Sequence, residues 1–178
     1  MKIYFHRLLI STLSLVIVGA TNLSATAPLV PNLSSRSNLS GVSDALIIGF
    51  VVKSSNTEVL LRAIGPSLSQ FGVTTPLADP ILSLYDASGI LIVRSAVYDQ
   101  PLDFLFDPTG QIRLAESRSG AFQFSRAPLT NDQAILSPPL AAGAYTLHIT
   151  SRSGGKGTVL GEVYFQELRI ITPIETPD

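Results

Sequence analysis

Gly65-Pro66-Ser67-Leu68-Ser69 sets two hydroxyls beside a glycine, directly after the apolar run 58–64. Three readings compete for it: a nucleophile turn, an anion cradle, and a corner between strands. A hydrolase nucleophile elbow takes the form Gly-x-Ser-x-Gly, because the backbone must turn sharply on both sides of the serine. Here Ser69 stands where the second glycine belongs. The base is short as well: of two histidines, His6 lies in a segment expected to be removed on export, and His148 falls on the outward phase of a strand. A Ser-His-Asp set would have to recruit His148. The corner reading gives each residue a cause. Gly65 relaxes the backbone at the strand exit, Pro66 starts a turn, Leu68 and Phe71 insert into the end of the core, and Arg62 pairs with Asp79 to tie down the next connection. A structural corner made of Arg62, Gly65, Pro66, Phe71 and Asp79 is therefore expected, with no catalytic residue.

Two other stretches carry chemistry-bearing residues. Asp99, Asp103 and Asp107 recur every four residues and, with Asp86, offer the oxygen ligands that calcium prefers. They follow no EF-hand spacing, which favours the plainer reading of a solvated surface loop. Calcium at these four is the one cofactor the chain suggests. A glycosidase would need two such carboxylates roughly 5 to 10 Å apart across a sugar cleft, and no cleft is predicted. Tyr98 beside Asp99 presents an aromatic face to a sugar or a partner, so Tyr98, Asp99 and Asp103 are the candidate ligand-binding residues. Gly154-Gly155-Lys156-Gly157-Thr158 lacks the Lys-Ser/Thr step of a phosphate loop and joins two strands instead of feeding a helix; a hairpin turn is expected.

These groups sit on a chain marked for export. Lys2, His6 and Arg7 precede an apolar stretch over 8–19, and Val18-Gly19-Ala20 ends it with small residues. This is the layout of a secretory signal peptide, with cleavage expected after Ala20 and Ala25 as the second choice. The apolar stretch is shorter than the roughly 18 residues of a spanning helix, so no membrane span is expected after its removal. What remains carries ten basic against thirteen acidic residues, a net charge of −3. The basic residues are dispersed, which leaves no platform for phosphate-backbone binding and argues against nucleic acid. The chain has no cysteine, so an exported fold must be held by its core, which a domain of this size can supply.

Residues 21–44 read as a Ser/Asn/Pro-rich leader with an edge strand over 33–37. Residues 45–171 read as one β domain and 172–178 as a tail. Residues 45–53 are almost continuously apolar, which predicts a strand covered on both faces. A turn at Asn56 pairs it with 58–64 as a hairpin. Residues 81–85 and 90–94 form a second hairpin around Asp86-Ala87-Ser88-Gly89. Tyr145, Leu147 and Ile149 alternate inward along 144–151, and 158–170 forms the last strand. Residues 66–71 have room for one helical turn and 111–118 for two. Neither could be the crossover of a parallel sheet, so an all-β, antiparallel two-layer sandwich of seven or eight strands is predicted.

The order of motifs adds to this. Gly-Phe-Val at 49–51, Leu-Leu-Arg-Ala-Ile-Gly-Pro-Ser-Leu at 60–68, Phe-Gly-Val at 71–73, Leu-Ala-Asp-Pro at 77–80 and Gly-Ala-Tyr-Thr at 143–146 resemble a β-sandwich module of secreted bacterial proteins. The second half is similar to pre-peptidase C-terminal domains, which are non-catalytic sandwiches. Where such modules carry Asn-Asp-Asn-Trp after the second hairpin, this chain has Arg94-Ser95-Ala96-Val97-Tyr98-Asp99 and no tryptophan. The resemblance implies a non-catalytic exported module, periplasmic, surface-bound or secreted, for contact with an extracellular polysaccharide or a cell-surface protein. The alternatives are a structural subunit joined through its edge strands, and a small hydrolase using Ser67 or the acidic loop.

Overall fold

Leu46, Ile48, Phe50 and Val52 are buried and the residues between them exposed, the period of two that a half-covered strand must show. In the computed structural model, which describes residues 32–95, 110–124 and 131–166, this strand belongs to one of two four-stranded sheets. The strands are β1 (Asn32–Leu39), β2 (Leu46–Val52), β3 (Glu58–Ile64), β4 (Pro80–Asp86), β5 (Leu91–Arg94), β6 (Gln133–Leu136), β7 (Gly143–Ser151) and β8 (Gly157–Gln166). The first sheet runs β1-β8-β3-β6 and the second β2-β7-β4-β5. All pairs of these strands are antiparallel among the described residues. The all-β two-layer sandwich expected from sequence is the architecture found.

The core lies between the sheets. Leu46, Ile48, Phe50, Leu82, Leu84, Tyr145, Leu147 and Ile149 from the second meet Val59, Leu61, Ala63, Val159 and Val163 from the first. At Gly161 the sheets approach so closely that a Cβ would lie 2.6 Å from the Cδ1 atoms of both Ile48 and Ile149.

The first sheet is covered a second time. β3 is buried along both faces, because helix α1 (Gln111–Ser119) lies over its outer side. Ala115 and Ile112 of α1 pack there with Leu60, Tyr164 and Leu136. The expectation of two covered faces for residues 45–53 thus falls on the wrong strand. Ile47 is 56% and Val51 61% exposed, and among the described residues no helix covers β2.

The predicted hairpin of β2 with β3 is also corrected. β2 pairs with β7, whereas β3 pairs with β8 and β6, so the Asn56 turn carries the chain from one sheet to the other. The connection from β7 to β8 does the same, and the glycine-rich run at 154–157 is an inter-sheet arch instead of a hairpin turn. Each of these strands buries one face in the shared core, and crossing lets consecutive apolar strands meet face to face. β4 and β5 do form the predicted hairpin. The two helical segments fall at Pro66–Phe71, as a 3-10 helix, and at α1.

Candidate functional site

The corner at Gly65 is an anion cradle whose anion is the chain's own Asp132. Gly65 N–H donates to Asp132 Oδ1 at 2.7 Å and Ser67 N–H to Oδ2 at 3.2 Å, while Ser67 Oγ–H donates to the same Oδ2. Asp132 is fully buried, and a buried carboxylate is tolerable when donors converge on it in this way. Pro66 leads the 3-10 helix and leaves these N–H groups turned toward β6. Ser67 is 1% exposed, so its hydroxyl is turned into a clasp and away from solvent.

Arg62 does not pair with Asp79. It lies opposite Glu162 on β8, on the face that α1 covers. Its Nη1 is 3.1 Å from Glu162 Oε2 and its Nε 3.5 Å from Glu116 Oε1 of α1. Nη2 donates to the Phe122 carbonyl at 2.6 Å. The guanidinium lies against the rings of Phe122 and Phe124, 4.5 and 4.3 Å from their centroids, two cation–π contacts from rings that meet each other edge-on at 6.0 Å. Burial pushes the Glu162 carboxyl above its ordinary range, against the pull of Arg62. Burial, reinforced by the charge of Glu162, raises the Tyr164 hydroxyl too.

Asp79 is used elsewhere. It accepts from Ser151 Oγ at 2.7 Å and Ser153 N–H at 2.9 Å. Against the cost of burial, these bonds and the charge of Arg152 hold its carboxyl below the ordinary range. The expected insertion of Phe71 into the core also fails. It is 64% exposed, and its ring meets Phe122 edge-on at 5.3 Å, so it flanks the aromatic cover of Arg62 while Leu68 alone turns inward.

The outer side of the second sheet is different. His148 of β7 and Tyr85 of β4 bring their rings to 4.7 Å, tilted by 50°. Register places Ile47 of β2 beside His148 and Leu91 of β5 beside Tyr85. Ile47, Val51, Leu91 and Ile92 are all exposed. A tilted aromatic pair between two exposed apolar edges is a surface suited to the face of a sugar ring or to an apolar protein patch.

Of the candidate calcium ligands, Asp86 is described. Its Oδ1 accepts from Ser88 and Ile90 N–H at 2.8 and 2.9 Å, closing the β4–β5 turn. Asp99, Asp103, Asp107 and Tyr98 lie outside the described residues. Among the described residues no three acidic or histidine side chains gather as a metal site, and no helix is long and apolar enough to cross a membrane. Sequence reading missed Asp132, Glu116 and Glu162. The signal was present for one of them, since Arg62 and Glu162 each place a charge in the middle of an apolar run.

No protein-family model matches the chain, and no curated protein matches it. Among solved structures, the pre-peptidase C-terminal domain of a collagenase from Bacillus anthracis is similar over 76% of this chain and 89% of that one. The identity is 12% and the TM-score 0.39.

Proposed function

We propose that this protein is a non-catalytic, exported β-sandwich module that contacts an extracellular polysaccharide or a cell-surface protein through the open face of its second sheet. The observation that carries this reading is the asymmetry between the two outer faces. The first is roofed over β3 by α1, where Arg62 is paired with Glu162 and Glu116. The second presents Tyr85 and His148 between exposed Ile47, Val51, Leu91 and Ile92. Export rests on the signal-peptide pattern at 1–20. The reading needs no cofactor: a melting temperature that EDTA leaves unmoved accords with it, and one that calcium raises would return the acidic loop to consideration.

The test is co-sedimentation of the purified protein with insoluble polysaccharides and with cell envelopes, against Tyr85→Ala and Tyr98→Ala variants. Retention on one material that Tyr85→Ala loses supports the reading and places the contact on this face. Loss in Tyr98→Ala alone would move it to the acidic loop. Turnover in a broad hydrolase screen, abolished by Ser67→Ala, would overturn it.

A further inference from the structure

Among the described residues the two sheets end in four edge strands, and three of them are blunted against pairing with another chain. β1 is polar, NLSSRSNL, and exposes Arg36. β5 has four residues, a register shift against β4 at Leu84/Tyr85, and Arg94 at its end. β6 has four residues and is followed closely by Pro138-Pro139. Short length, charge, bulges and proline are the usual devices that keep sheet edges from adding strands. β2 has none of them. Its seven residues, LIIGFVV, hold no charge and no proline, and they pair with β7 in unbroken register.

The same strand is self-complementary. Reversed about Gly49, it sets Leu46 against Val52, Ile47 against Val51 and Ile48 against Phe50, apolar against apolar at every step. This register keeps outward residues opposite outward ones and core-facing residues opposite core-facing ones, so the two sandwiches would continue on the same side of one sheet. Gly49, at the centre, brings no side chain to the axis. Beyond the strand ends stand unlike charges: Asp44 before β2 and exposed Lys53 after it. Asp44 is held ionised by Ser40, whose N–H and Oγ donate to its Oδ2. Antiparallel pairing about Gly49 sets Lys53 of each copy opposite Ala45 of the other, one residue along the chain from Asp44.

We propose that β2 is a self-association edge: two copies of this chain pair their β2 strands antiparallel about Gly49, joining two four-stranded sheets into one of eight. This names a partner for the module and does not depend on the outer face holding a ligand. Tyr85→Ala, which tests the face, should leave the dimer intact.

The experiment is sedimentation velocity over a concentration series on the full chain, purified as the cell processes it. Ile47 and Val51 are both more than half exposed, so substitution there spares the core, and thermal melts confirm folding. Wild type is expected to form a concentration-dependent dimer. Ile47→Lys with Val51→Lys sets like charges opposite each other twice and should weaken the dimer about tenfold or more. Ile47→Glu with Val51→Lys sets opposite charges across both pairs and should keep it within about threefold of wild type. A wild type monomeric throughout, a dimer indifferent to the double lysine variant, or equal loss in both double variants would overturn the proposal. So would a monomer whose β2 amides resist hydrogen exchange, since other residues of the chain would then occupy the edge.

Discussion

Arg62 and Glu162 face each other across β3 and β8, with Nη1 and Oε2 3.1 Å apart and the arginine fully buried. Glu116 supplies a second carboxylate from α1, so one cation is shared by two anions at the seam between helix and sheet. Arg62→Met would leave Glu162 buried without its cation and remove one of the contacts of Glu116. Breaking a buried ion pair from one side typically costs about 3–5 kcal/mol, and urea denaturation should show a loss of that order. Replacing the facing pair together, Arg62→Met with Glu162→Gln, should recover most of it, because Glu162 then carries no charge to leave uncompensated.

The same cluster gives a pH signature. Burial raises the folded-state pKa of Glu162 above its ordinary 4.5, so between that value and the raised one the folded state binds more protons than the unfolded state. Its contribution to stability therefore falls as pH rises through this window. Asp79 acts oppositely: its lowered pKa stabilises above 3.8 and the benefit is lost as pH falls through the folded-state value. Urea midpoints from mildly acidic to neutral pH should fall more steeply with pH in wild type than in Glu162→Gln.

Alternation at Tyr145, Leu147 and Ile149 made the inner face of β7 legible in the sequence, and Asp86 with Gly89 made the β4–β5 turn legible, because both signals are local. The exchange of covered faces between β2 and β3 was not legible. Both strands are apolar runs, and the residues that roof β3 come from α1, about 50 positions away. The partner of the Gly65 corner was hidden for the same reason: Asp132 is 65 residues from Ser67. The open face was half visible, since His148 was read as outward, but its approach to Tyr85 depends on strand order, which alternation does not encode.

Asp132→Ala should be costly because it orphans the buried N–H groups of Gly65 and Ser67 together. Charge-assisted hydrogen bonds contribute about 1.5–3 kcal/mol each and are not additive, so a loss of about 3 kcal/mol is expected. Ser67→Ala removes a single donor and leaves the backbone pair in place, so a loss at the low end of that range, about 1.5 kcal/mol, is expected. Denaturant midpoints of the two variants should rank in that order. The reverse order would mean that the hydroxyl, and not the backbone, holds the carboxylate.

The two glycines that flank the 3-10 helix resist substitution for different reasons, and the magnitudes separate them. Gly72 has φ +80° with open space around it, so Gly72→Ala meets only the left-handed backbone penalty, about 1–2 kcal/mol. Gly65 has an ordinary negative φ, but a Cβ there would overlap the Leu77 carbonyl oxygen and lie 3.4 Å from Pro80 Cδ. Neither neighbour is the free end of a flexible side chain. Relief would have to displace Leu77, whose N–H is bonded to Thr158 O at 2.7 Å, or withdraw the Gly65 N–H from Asp132. Overpacking alone costs about 1–3 kcal/mol, and a weakened Asp132 clasp adds to it. Thermal melts should therefore place Gly65→Ala clearly below Gly72→Ala, with the gap narrowing in an Asp132→Ala background where that clasp is already gone.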